Sequence, residues 1–97
     1  MTKKIGVLVS TGFGAGWSTW NNPECALDQE LVAAIEANLP AEQITAIAKR
    51  NWPNAYLGGL LDCDVKWVDE GTAFRIEEYD GAESIHFPDS YNWQIAK

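Results

Sequence analysis

FRIEEYDGAESIHF, residues 74–87, is written as a β-hairpin. Asp80-Gly81 is the two-residue signal for a type I′ turn, in which both central residues take positive φ. Such a turn fixes the register. Tyr79 then faces Ala82, Glu78 faces Glu83, Glu77 faces Ser84, Ile76 faces Ile85, Arg75 faces His86 and Phe74 faces Phe87. Phe74, Ile76, Ile85 and Phe87 share the core face, while Arg75, Glu77, Tyr79, Ser84 and His86 share the other. Glu78 and Glu83 are like charges directly opposed, a costly pairing, and Asp80 adds a third carboxylate. Paired carboxylates can hold a cation or raise one pKa. A solvated, screened acidic tip is the reading favoured for an exposed turn.

Working back along the chain, DVKWV (64–68) reads as a strand and DEG (69–71) as a turn. With the hairpin this predicts an antiparallel C-terminal meander. At the other end, KKIGVLVS (3–10) is a short apolar run rich in β-branched residues and reads as a buried strand. The middle is helical. Asn22 with Pro23 is a start signal, and Asp28 is a second possible cap. Leu27, Leu31, Ala34, Ile35 and Leu39 form one apolar stripe, and Ala41, Ile44, Ile47 and Ala48 form another after the break at Pro40. Pro53 ends the second helix by disfavouring helical geometry at Trp52. The predicted fold is α+β, one domain over residues 1–97, in the order β-α-α-β-β-β. Two helices pack on one face of a small sheet, with β1 beside a meander strand and the other face partly solvated.

Composition narrows the function classes. The net charge is −7, and residues 62–89 carry nine acids against Lys66 and Arg75, the whole imbalance. That disfavours nucleic acid and anionic membranes as direct partners and favours a basic one. No apolar run approaches a membrane span, and Lys3 and Lys4 precede only IGVLVS, too short and glycine-broken for a signal-peptide core. Cys25 and Cys63 lack CxxC spacing, and His86 is the single histidine, so no metal site and no cofactor are expected. Free, buried thiols in a reducing cytosol fit best. His86 with Ser84 or Cys63 carries no nucleophile signature, so no catalytic residue is assigned.

The loop STGFGAGWSTWNN (10–22) is the other unusual stretch. Gly12, Gly14 and Gly16 alternate, and Trp17 and Trp20 follow. A glycine-rich turn after a strand resembles a phosphate cradle. The dinucleotide spacing and the Gly-Lys-Ser/Thr of a P-loop are both absent. Two uses remain. Gly12, Phe13, Gly14, Gly16, Trp17 and Trp20 could form a stacking platform for a nucleotide or sugar. Alternatively, and favoured, the indoles fold inward as core while the glycines permit the tight path.

STGFGAGWSTWNN together with VKWVDEGTAFRIEEYDGAESI (65–85) resembles a group of small, poorly characterised proteins of tailed bacteriophages and prophages. The likeness spans most of the chain. It implies an accessory protein working in the cytoplasm of a bacterial host, and binding or blocking of a host factor, such as a defence factor that handles nucleic acid. The expected function is therefore a non-catalytic interaction module, not an enzyme. Its docking surface is Asp69, Glu70, Glu77, Glu78, Tyr79, Asp80 and Glu83, set against a basic surface of a host protein. Tyr79 or Trp93 would be the aromatic anchor. The alternative is a small-molecule binding module built on the loop.

Overall fold

A computed structural model describes residues 3–87. Trp93, one of the two expected anchors, lies outside the described residues. The class and element order are as read: β1 (Lys4–Ser10), α1 (Gln29–Glu36), α2 (Ala41–Asn51), β2 (Cys63–Asp69), β3 (Arg75–Tyr79) and β4 (Ala82–His86). Short 3₁₀ turns occupy Ser18–Trp20, Pro23–Leu27 and Leu60–Asp62.

The helical middle uses both of its candidate caps. Asn22 Oδ1 accepts from the Glu24 N–H at 2.9 Å and starts the Pro23–Leu27 turn. Asp28 is extended, and its Oδ1 accepts from the Glu30 and Leu31 N–H groups at 3.0 and 3.1 Å. That cap divides what the spacing reads as one helix from Asn22 onward, because a cap residue cannot itself be helical. Asn38, at φ 56°, closes α1. Its N–H reaches the Ile35 carbonyl, and the Leu39 N–H reaches that of Ala34, the paired bonds of a left-handed helix stop. The chain then reverses. Arg50 pairs with Glu30, while the Trp52 indole donates to Asp28 Oδ2 at 2.8 Å, so the end of α2 lies beside the start of α1.

The strands form two separate antiparallel pairs, β1 with β2 and β3 with β4. β1 lies beside β2, with Ser10 opposite Cys63 and Lys4 opposite Asp69, but β2 and β3 are not paired, so the expected C-terminal meander is corrected to a β1–β2 pair and a separate hairpin. The hairpin register is as deduced from Asp80-Gly81, from Arg75–His86 to Tyr79–Ala82, one pair short of Phe74–Phe87. Both turn residues have positive φ, 51° and 87°, as a type I′ turn demands. However, β3 does not continue the β1–β2 ladder.

Two physical reasons account for the division. Val7, Val9 and Val68 form an apolar face opposite the helices, and Phe74, Ile76, Ile85 and Phe87 cover it with the hairpin. Placed edge-on to β2, those four side chains would leave that face wet, at about 25 cal/mol per Å² of apolar area. The free edge of β1 is also already occupied by side chains. The Gln29 amide donates to the Gly6 carbonyl at 2.9 Å and accepts from its N–H at 3.3 Å. Glu83 Oε1 takes the Ser10 N–H at 2.8 Å.

The result is three layers. Leu8, with Leu31, Val32, Ile44, Ala48, Leu60 and Trp17, fills the space between β1 and the helices. Val7 and Val9 fill the space beneath the hairpin. The expectation of a partly solvated second face is thus corrected: β1 is buried on both sides, which is why it reads GVLV without alternation. Cys25 and Cys63 are both free and buried. Among the described residues no helix is long and apolar enough to cross a membrane.

Candidate functional site

The glycine-rich loop is an anion cradle, and the anion is part of the chain. Glu83 is 5% exposed. Its carboxylate accepts four hydrogen bonds, from the Ser10 N–H (2.8 Å), the Trp17 N–H (2.7 Å), the Thr19 N–H (3.0 Å) and the Thr19 hydroxyl (2.7 Å). Such donors offset the cost of burying a charge. The assignment of Glu83 to a solvated, partner-binding tip is therefore corrected. A signal was available: with a period of two, Glu78 and Glu83 fall on the same face as Ile76 and Ile85, toward the interior.

The loop is fastened to the hairpin tip at three further points. The Gly14 N–H donates to the Asp80 carbonyl at 2.6 Å. The Gly81 backbone packs so closely on the loop that a Cβ there would meet the Ala15 nitrogen and lie 2.6 Å from the Gly14 carbonyl carbon. Glu78 Oε2 accepts from the Gly81 N–H at 2.7 Å and from the Trp20 indole at 3.2 Å. These two bonds hold the Glu78 carboxyl below the usual carboxylate range.

The two indoles have opposite fates. Trp17 is fully buried, and its Nε1 donates to the Cys25 carbonyl at 3.1 Å. It is core, and Gly16 beside it is buried too, so neither can present a surface to a ligand. Trp20 is partly exposed and stacks on Tyr56, with ring centroids 5.7 Å apart and planes at 25°. Asn21 anchors Tyr56, accepting from its N–H at 2.7 Å and donating to its carbonyl at 2.9 Å. Sequence reasoning missed Tyr56, because only this long-range amide clamp brings it to the loop.

Phe13 and Tyr79 flank the Gly14–Asp80 bond and are 74% and 80% exposed, the highest among the exposed large apolar side chains. Gly12 and Phe13 of the loop, Tyr79 and Asp80 of the hairpin, and Trp20 with Tyr56 thus gather at one end of the molecule. Asp62 joins them, its carboxylate against Gly12. The two site predictions, acidic hairpin and aromatic loop, converge on a single place.

Other predicted acids lie elsewhere. Asp69 is bound to Lys4 at 2.5 Å, and Glu70 follows it, at the far end of the seven-residue β1–β2 pair. The pair is about 20 Å long at the usual rise per residue, and it is the opposite end, at Ser10, that Glu83 of the hairpin bonds. Glu77 pairs with Arg75 at 2.6 Å on the outer hairpin face. Ser84 Oγ and His86 Nε2 are 2.9 Å apart, but Glu77 approaches the same ring nitrogen at 3.5 Å. Glu77 cannot orient the ring from Nδ1 there, so the three residues do not form a nucleophile relay. No three His, Cys, Asp or Glu side chains cluster for a metal among the described residues.

A groove of about 430 Å³ beside Trp20 is lined by Asn21, Asn22, Asn51 and Trp52. Compared with family models, curated proteins and solved structures, the chain matches nothing.

Proposed function

We propose that this chain is a non-catalytic accessory protein of phage or prophage type. In this reading it works in the bacterial host cytoplasm, binding and modulating a host protein through a basic surface on that protein. The supporting observation is the joined tip. A buried Glu83 carboxylate holds the loop on the hairpin, so Phe13, Tyr79, Trp20 and Tyr56 stand with Glu78 and Asp80 on one braced end. Exposed aromatics ringed by charge are the composition of an interface centre. A chain of net charge −7 steers toward basic surfaces.

The test is capture from bacterial lysate at low and high salt. A tip variant, Phe13→Ala with Tyr79→Ala and Asp80→Lys, is compared with a far-end variant, Asp69→Lys with Glu70→Lys. One partner, released by salt, lost with the tip variant and kept by the far-end variant, is the expected result. Capture indifferent to salt overturns the electrostatic reading, and equal loss in both variants overturns the location. Charge reversal at Glu83 would unseat the loop and is not a test of docking.

A second reading keeps a specific feature: the groove between Trp20 and Trp52, lined by amides, is suited to a nucleotide or sugar. It predicts tryptophan quenching on titration that is lost in Trp20→Ala. No response to either ligand class removes this reading.

A further inference from the structure

We propose that the tip recognises arginine side chains of the partner in particular; this rests on the docking reading above. Glu78 Oε2 is occupied by the Gly81 N–H and the Trp20 indole, while Oε1 makes no hydrogen bond among the described residues. The carboxylate is therefore fixed in direction before any partner arrives, with one oxygen still able to accept. The Trp20 indole that donates to it is one ring of the Trp20–Tyr56 stack, and both rings are exposed. Asp80 supplies a second carboxylate on the same turn, and Phe13 and Tyr79 add exposed rings.

This arrangement offers one open carboxylate oxygen near exposed aromatic rings. A guanidinium can use both, because one of its N–H groups meets the open Oε1 while its plane lies on an exposed ring. An ammonium satisfies the charge alone. Lysine is also more strongly hydrated, so it gives up more on leaving water. A second copy of this chain is a poor occupant, since it would bring its own net −7 to an acidic tip. The same charge opposes anionic lipid and nucleic acid.

The experiment titrates the full chain with fluorescently labelled, capped hexa-arginine and hexa-lysine peptides, read by anisotropy at low and moderate salt. Hexa-arginine should bind about tenfold more tightly than hexa-lysine, a preference that survives added salt. Glu78→Gln and Trp20→Ala should each bring the two peptides to within about twofold of one another. Glu70→Gln, at the far end, should change neither. Circular dichroism and thermal melting establish that each variant is folded. Equal binding of both peptides overturns the arginine assignment while leaving an acidic docking surface. Lack of binding to either peptide, with lysate capture intact, also overturns it and leaves the docking reading standing. An arginine preference unchanged in both tip variants overturns the assignment to Glu78 and Trp20.

Discussion

At the scale of a residue, Glu83 is the one charged side chain that is buried among the described residues. A buried anion is tolerable only when hydrogen bonds replace its hydration, and here four donors from a neighbouring loop replace it. Glu83→Gln keeps the shape but turns an amide NH₂ toward groups that are themselves donors. It should cost about 3 kcal/mol of unfolding free energy, since each unpaired buried donor costs about 1–3 kcal/mol. Urea denaturation measures this, and a loss below about 1 kcal/mol would show that the carboxylate does not hold the loop. Tyr79→Ala removes only exposed surface, so its stability should stay within about 0.5 kcal/mol of the parent.

Elements are set by their ends. In α1, burial pushes the Asp28 carboxyl up, but bonds from the Asn51 side chain, the Leu31 N–H, the Trp52 indole and the Glu30 N–H outweigh it. Its folded pKa lies below the ordinary value. The stability it contributes is therefore present above the unfolded pKa, about 4, and is lost as pH falls through the folded value. Asp28→Asn keeps a good cap but does not titrate, so its stability should decline less steeply than the parent's below about pH 4. Asp28→Ala should lose about 1 kcal/mol at neutral pH from the cap alone. The hairpin is set by its turn. Gly81→Ala asks an alanine to hold φ 87° against the Ala15 nitrogen, and should cost more than about 1 kcal/mol. A neutral result by thermal melting would mean that the hairpin lifts freely from the loop.

Across the whole molecule, the division into three layers buries β1 on both sides and places Cys25 and Cys63 inside. Burial pushes both thiols up in pKa, away from the reactive thiolate. A thiol-specific reagent should label the native protein far more slowly than the denatured one, at a rate set by opening of the fold. Rapid native labelling would show that one layer opens readily. The layering also leaves acids at two ends, so a docking surface drawn from the charge count alone is too wide. Asp69 and Glu70 belong to the far end of the β1–β2 pair, and Asp80 to the tip.

By itself the sequence determined what rests on short-range chemistry. Asp80-Gly81 set the hairpin and its register, because a type I′ turn leaves one alignment. Asn22, Asp28 and Pro53 marked helix ends, because capping and the clash of a proline ring with the residue before it act within a turn. The unbroken apolar run marked β1 as a buried strand, though the sheet's second face was expected to be partly solvated. Only the tertiary structure decided what depends on residues far apart in the chain. The hairpin covers the second face of β1 instead of extending its ladder, because that face had no other apolar cover. Glu83 enters a cradle 64 to 73 residues away, and Tyr56 reaches Trp20 through an amide 35 residues from it. No local rule counts donors supplied from such a distance, and those donors turned an apparent surface charge into the buried joint between loop and hairpin.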